Sequence, residues 1–306
     1  MEISAIVPVY NEEQNLPLLY QRLKNVLAEI SAQHEIIFVN DGSTDGSIQV
    51  LRELSLKDVH VKFIDLSKNF GHQIAVFAGL DHASGSAIAI IDADLQDPPE
   101  LIKDMYNKLR NGYDVVYAQR EHRKGESWHK LLSAKIFYRL INRLSDVAVP
   151  VDTGDFRIIS KNVRDIICSM HERNKFLRGQ IAWVGFKQAP VLYHRDERHA
   201  GKTSYPYSKM FKFAFDGITS FSNTPLRIAT YFGFLVSLLA FIVIAYSLYA
   251  KYVEHDVIPG WTSIMTSVLF IGGVQLICLG IIGEYIGRIL DNVKDRPVYL
   301  VKEKNF

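Results

Sequence analysis

The sequence predicts an α/β protein in which a mostly parallel sheet domain is followed by amphipathic interface helices and two membrane-spanning helices. Three observations carry this reading. Over residues 1–118, short apolar runs alternate with longer segments of helical period, the pattern of successive βαβ units. Residues 228–250 and 261–283 contain no charged side chain. Each is long enough, roughly 35 Å at about 1.5 Å per residue, to cross a hydrocarbon core of roughly 30 Å. Between these regions, 127–145 and 205–222 are apolar on one arc and basic on the other, which suits a bilayer interface.

The strand-like runs are ISAIVPV, EIIFVN, VKFIDL, AIAIIDA and DVVYAQ, in that order. Helical patterns separate them: NLPLLYQRLKNVLAEI, STDGSIQVLRELS, QIAVFAGLDHA and PELIKDMYNKLRN. The opening MEISAIVPVY lacks a basic stretch followed by a long apolar one, so it reads as the first strand, not as a signal peptide. In 127–145, Trp128, Leu131, Leu132, Ile136, Phe137, Leu140, Ile141 and Leu144 recur at helical spacing. The expected organisation is a sheet domain over 1–200 that contains this interface helix, and a juxtamembrane segment over 201–225. Two spans follow within 226–290, then a tail over 291–306.

Flanking charge sets the expected orientation. Lys209, Lys212 and Arg227 precede the first span, and Arg288, Lys294, Arg296, Lys302 and Lys304 follow the second. The connecting KYVEHDVIPG holds one Lys and no Arg. Both termini are therefore expected in the cytoplasm, with the loop facing outward and the chain crossing the membrane twice. Lys and Arg total 35 against 33 Asp and Glu, which argues neither for nor against a polyanionic partner; no nucleic acid is expected. Cys168 and Cys278 are the two cysteines, too few for a disulfide framework and consistent with a reducing compartment.

Polar residues gather where the strand-like runs end: Asn11 and Glu12 after the first, Asp41 after the second, Asp92 and Asp94 after the fourth. In parallel sheets that edge forms the ligand cleft. The run IAIIDADLQDPP drives a buried strand into three carboxylates, which calls either for a cation among them or for a solvated loop. Asp-x-Asp can hold a hard divalent ion that keeps its other positions for phosphate oxygens. Gln96 could add a neutral oxygen ligand, and the ion would stabilise a departing diphosphate. No G-x-G-x-x-G follows the first strand, and AGKTS at 200–204 lacks both the earlier glycine and the preceding strand of a P-loop.

VPVYNEE (7–13), VNDGSTD (39–45), NFGHQIAVFAGLDHA (69–83), DADLQDPPE (92–100) and GDFRIIS (154–160) together resemble the family-2 glycosyltransferases, whose GT-A fold is Rossmann-like. The likeness is strongest to the polyprenyl-phosphate branch, which includes the dolichol-phosphate mannose synthases. Within that branch it is closest to the bacterial bactoprenol glucosyltransferases, because ITSFSNTPLR (218–227), FIGGVQ (270–275) and GEYIGR (283–288) also match their membrane region.

The resemblance implies roles by position. Pro8, Tyr10 and Glu12 would line the nucleoside pocket, and Asp41 would accept from the imide N–H of the base. Asp92, Asp94 and Gln96 would hold Mg²⁺ or Mn²⁺ against the donor diphosphate. Asp155 would face the reacting centre. Because a lipid phosphate is already ionised, Asp155 is expected to orient the sugar or stabilise positive charge at its anomeric carbon, with little general-base work to do. Arg120, Arg123, Arg198 and Lys202 would neutralise the acceptor phosphate. His72 stands where relatives often carry Lys, which leaves its role open. Gly273, Gly280, Gly283 and Gly287 permit close helix approach, either to a second copy of the chain or to the partner span.

The implied reaction is inverting transfer of one sugar, glucose from UDP-glucose first among the candidates, to undecaprenyl phosphate at the cytoplasmic membrane face. The lipid-linked sugar would serve O-antigen or cell-envelope modification. Mannose from GDP-mannose or an N-acetylhexosamine remains an alternative. A processive polysaccharide synthase is disfavoured, since QIAWVG (180–185) lacks the Arg of Q-x-x-R-W. Two spans also make a poor translocator, and a silent scaffold would have little reason to keep Asp92, Asp94 and Asp155.

Overall fold

The computed structural model describes residues 1–120, 153–173, 175–193, 224–249 and 260–306. The interface helix expected over 127–145 and the amphipathic stretch of 205–222 lie outside the described residues. The described chain falls into two compact units: the sheet domain, which includes the stretch from Arg296 onward, and a unit holding two long apolar helices.

Five βα-patterned strands appear where the sequence places them: β1 (Ile3–Val9), β2 (His34–Asn40), β3 (Val61–Leu66), β4 (Ala87–Ile90) and β5 (Val115–Arg120). The helices between them are α1 (Leu16–Ile30), α2 (Ser47–Lys57), α3 (His72–His82) and α4 (Leu101–Arg110). Then come β6 (Thr153–Ser160), α5 (Lys161–Ser169), α6 (Leu177–Val184) and β7 (Gln188–Tyr193), followed by α7 (Thr224–Tyr249), α8 (Trp261–Val293) and β8 (Val301–Lys304).

The sheet order is β7-β5-β6-β4-β1-β2-β3-β8. Its centre, β4-β1-β2-β3, is parallel, but β6 runs antiparallel to both β4 and β5, and β8 antiparallel to β3. The expected mostly parallel sheet is thus a mixed one. Period-2 alternation sends Ile3, Ala5 and Val7 to one face and Ile6 to the other. Helices cover both faces, as a parallel centre requires. Leu16, Leu19, Leu23 and Leu27 of α1, with Leu51 of α2 and Met105 of α4, fill one side. Val76 and Leu80 of α3, Val163 and Ile167 of α5, and Leu177 of α6 fill the other. Gly79 lets α3 press on β1, since a Cβ there would lie 2.3 Å from Ile6 Cγ2.

The last residues return to the sheet. β8 pairs with β3 along Ile64–Lys304 and Asp65–Glu303, Asn305 Oδ1 accepts from the Phe63 N–H at 2.7 Å, and Tyr299 donates to Asp81 at 2.8 Å. The tail therefore covers an edge that would otherwise be open to strand addition. In the other unit, α7 carries no charge from Ile228 to Tyr249. Among the described residues one stretch, Phe270–Val293 of α8, is long and apolar enough to cross a membrane. Two such stretches are expected and this one is found; it overlaps 261–283 and runs further toward the C-terminus.

Glu35, fully buried in β2, shows how the sheet tolerates a charge. It accepts from Ser4 Oγ (2.5 Å), from the Ser84 N–H and hydroxyl (both 2.8 Å) and from Lys62 Nζ (2.6 Å). Burial works to raise its pKa, but the lysine and the donors outweigh it and hold the carboxyl below its usual value. Its stabilisation is therefore complete above the ordinary carboxylate range and is lost as pH falls through the lower folded value. Glu35→Ala would leave Lys62 and two hydroxyls without their acceptor and is expected to destabilise the sheet domain by about 3 kcal/mol at neutral pH. The measurement is thermal unfolding, with the difference from wild type shrinking on acidification below about pH 4.

Candidate active site

The parallel centre brings the C-terminal ends of β1, β2 and β4 to one edge, and the antiparallel β6 begins at that same edge. The pairing of Ile90 with Arg157 sets the N-terminal end of β6 beside the residues that leave β4. This register carries Asp155, distant in sequence, to Asp92.

One wall is made of the loops after β1 and β2, which interlock. Asn11, in the left-handed region at φ 56°, accepts from the Thr44 N–H at 2.8 Å and donates its own N–H to Ser43 Oγ at 3.0 Å. The Glu12 N–H reaches Ser47 Oγ at 3.0 Å, and Glu13 accepts from the Gly46 N–H at 2.9 Å. Gly42 (φ 65°) turns the second loop so tightly that a Cβ would lie 2.5 Å from the backbone of Asn69. Asp41 is buried, and its two oxygens accept from the N–H groups of Phe70 (2.7 Å) and Gly71 (3.0 Å). Burial nevertheless pushes its pKa up. Of the residues expected around a nucleoside, Tyr10 is exposed and Glu12 half-buried, whereas Pro8 is enclosed within β1 opposite Val39. A base could reach Asp41 only through the remaining acceptor capacity of its two oxygens.

The chemistry-bearing cluster lies beyond the end of β4 and at the start of β6. Asp155 is 5% exposed. Its Oδ1 accepts from Arg178 Nε at 2.7 Å, and its Oδ2 from Gln73 Nε2 at 2.8 Å, with His72 Nε2 at 3.2 Å. Arg157 lies 3.9 Å from Oδ1 and is itself tied to the Gly154 carbonyl at 2.7 Å. Burial alone would raise the Asp155 pKa, but Arg178, His72 and Arg157 more than reverse this and hold it well below the carboxylate range. Burial likewise opposes the charged form of His72, yet the Asp155 and Asp92 carboxylates push it up to about 9. At neutral pH the ring is a cation lying between two carboxylates.

Asp92 shows the opposite balance. Burial, with Asp155, Asp97 and Asp94 nearby, drives its pKa up to about 6 despite His72. Its Oδ1 lies 3.5 Å from His72 Nε2 and accepts no hydrogen bond among the described residues. A buried carboxylate oxygen without a donor, next to more carboxylates, fits the demand for a hard cation. Asp94 is buried, and the Gln96 N–H donates to its Oδ1 at 3.2 Å across Leu95, which is held at φ 59°. A left-handed leucine costs about 1 kcal/mol or more, and such strain collects at functional turns. Tyr193 of β7 fixes the far end of the loop by donating to Asp97. Among the described residues no three His, Cys, Asp or Glu side chains converge into a closed metal cage. Two carboxylates and one amide oxygen would instead leave positions for a ligand's phosphates.

The structure thus brings together Asp92, Asp94, Gln96 and Asp155. Arg120 ends β5, and Arg123, Arg198 and Lys202 lie outside the described residues. The sequence reading missed Gln73, Arg157 and Arg178. Gln73 and Arg157 stand within the motifs NFGHQ and GDFR, and Arg178 is a lone charge in the apolar run FLRGQIAWV. Asp155→Asn would leave Arg157 and Arg178 facing a neutral amide. It is expected to lower stability by about 3 kcal/mol in thermal unfolding and to cut turnover by about 100-fold or more.

Comparison with known proteins completes the assignment. Residues 4–166 match the model of glycosyl transferase family 2, and residues 224–289 match the GtrB C-terminal hairpin. The chain is 52% identical over 303 residues to the uncharacterized glycosyltransferase YkcC of Bacillus subtilis, covering 99% of this chain and 94% of that one. It is 42% identical over 302 residues to a prophage bactoprenol glucosyl transferase homolog of Escherichia coli, covering 99% of each. A bactoprenol glucosyl transferase of Shigella phage SfII is 41% identical over 305 residues, or 100% of this chain and 99% of that one. With the family model spanning the strands that build the cleft, and relatives aligned from end to end, the chain belongs to glycosyl transferase family 2 and is a glycosyltransferase.

Proposed function

We propose that the protein transfers a single glucose, with inversion, from UDP-glucose to undecaprenyl phosphate at the cytoplasmic face of a bacterial inner membrane. The observation that carries this reading is the end-to-end alignment, at 40–42% identity, with several proteins named bactoprenol glucosyl transferase. That alignment includes the hairpin region as well as the cleft. The product would feed O-antigen or cell-envelope modification.

In this reading Tyr10, Glu12 and Asp41, with Pro8 behind them, bound the nucleoside. Asp92, Asp94 and the Gln96 amide oxygen would hold Mg²⁺ or Mn²⁺, which, when bound, offsets the charge of the donor diphosphate and of the leaving group. The acceptor phosphate is ionised at neutral pH and needs no base. Asp155 has no proton to give and little affinity for one, so its part is electrostatic: a fixed negative charge facing the anomeric carbon as positive charge develops there. Arg120, Arg123, Arg198 and Lys202 would neutralise the incoming lipid phosphate.

Topology supports the two-span arrangement. β8 belongs to the same sheet as β1–β7, yet it follows α7 and α8 in the chain. A single crossing would leave β8 and the catalytic sheet on opposite sides of the bilayer, which favours an even number of crossings. With α7 and α8 both spanning, the cleft and both termini share the cytoplasmic side. Along α8, a Cβ at Gly273, Gly280, Gly283 or Gly287 would meet nothing within 4 Å among the described residues, which leaves that stripe open to a second copy of the chain.

Membranes containing the protein, incubated with Mg²⁺, undecaprenyl phosphate and labelled nucleotide sugars, are expected to move label into the organic phase from UDP-glucose. The label should disappear with EDTA and in Asp94→Ala. Label from another donor alone would replace the glucose assignment, and none from any donor would refute the lipid-acceptor reading. In intact cells, a cysteine at His255→Cys should react with an impermeant maleimide and one at Lys304→Cys only after lysis; equal labelling before lysis would refute the even crossing.

A further inference from the structure

Gln73 makes two contacts that no catalytic role yet explains. Its Nε2 donates to Asp155 Oδ2 at 2.8 Å, and its Oε1 accepts from the Leu177 N–H at 3.0 Å. Leu177 is the first residue of α6, whose preceding residue, Phe176, supplies no side-chain cap. The leading N–H groups of a helix have no partner within it. Gln73, reaching across from α3, satisfies one of them. The amide's orientation is forced, since a backbone N–H can only donate and the carboxylate can only accept. One side chain therefore fixes Asp155 and the start of α6 at once. The next residue of α6, Arg178, donates to the other oxygen of the same carboxylate.

We propose that Gln73 is a positioning residue for glycosyl transfer: its amide is a two-ended bracket that keys Asp155 of β6 to the first turn of α6, and so holds the Asp155–Arg178 pair in one geometry at the reacting centre. The bracket works only with an acceptor at one end and a donor at the other. Glutamate would set two carboxylates against each other, and leucine would fill similar space with neither function. Gln73 lies directly behind His72, so the first turn of α3 grips Asp155 at two points. Both ends of the amide are hydrogen-bonded to protein. It acts by denying Asp155 and Arg178 the freedom to rotate apart, and a misplacement of about 1 Å at such a centre can cost about 100-fold in rate.

This inference rests on the glucosyl-transfer reading for its kinetic test, but not for its structural one. In the full chain in lipid nanodiscs, Gln73→Leu is expected to lower kcat by about 10- to 100-fold with KM for UDP-glucose changed less than about threefold. Gln73→Glu should be worse than Gln73→Leu. Placed in an Asp155→Asn background, Gln73→Leu should cost less than about twofold more, because a residue acting through Asp155 has nothing left to hold. Independently of any sugar, hydrogen exchange at the Leu177 amide should quicken about tenfold or more in Gln73→Leu. Full kcat in Gln73→Leu, losses that multiply in the double variant, or unchanged Leu177 exchange would each overturn the proposal. If the wild type transfers nothing from UDP-glucose, the glucosyl reading fails while the exchange measurement still decides the bracket.

Discussion

Everything at the cleft depends on keeping one buried carboxylate charged. Isolating an ionised Asp155 from water would cost several kcal/mol, and the fold meets that cost with Arg178, Gln73 and His72 on its two oxygens and Arg157 nearby. The four partners come from three places: α6, two adjacent residues of α3, and β6 itself. The carboxylate is thus the point where three elements are tied together, and its charge is what ties them. Asp92, only a short distance away across His72, has the opposite environment, with an oxygen that meets no donor among the described residues and other carboxylates near it. Two neighbouring aspartates therefore differ in kind: the protein supplies donors to both oxygens of one, and to Oδ1 of the other it supplies none among the described residues.

The sheet explains how these residues meet. A wholly parallel sheet would place the start of β6 at the opposite edge from the end of β4. The antiparallel β4–β6 register reverses this and delivers Asp155 to the acidic loop. At the other edge, β8 returns from beyond the apolar helices to close β3. The tail that follows the apolar helices in the chain thus protects a strand of the sheet that precedes them.

The first four βα units were legible because their signal is local: period 2 for strands, period 3.6 for helices, and polar residues where each parallel strand ends. Asp41, Asp92 and Asp94 could be found by the same logic. Asp155 could be picked out only by its likeness to GDFR in known relatives, because what brings it to the cleft is a strand reversal between residues far apart in sequence. Gln73 and Arg178 escaped notice for a related reason. A glutamine at the start of an apolar helix and an arginine in FLRG look like ordinary surface residues until α3 and α6 are set against β6. β8 was hidden by its length, since VKEK carries too few apolar residues to read as a strand; it is held instead by Tyr299, Glu303 and Asn305. For Asp41, the interior position and the two backbone donors follow from the interlocked loops, which no single stretch of sequence encodes.

The most direct test of a carboxylate cluster built for a cation-bound diphosphate is an electron paramagnetic resonance titration of Mn²⁺ into the full chain with and without UDP. The structure predicts a bound Mn²⁺ signal that strengthens with UDP and is lost in Asp92→Asn, while the unfolding temperature of that variant stays close to wild type. A Mn²⁺ signal indifferent to UDP and to Asp92→Asn, or no bound Mn²⁺ in a folded protein, would contradict it.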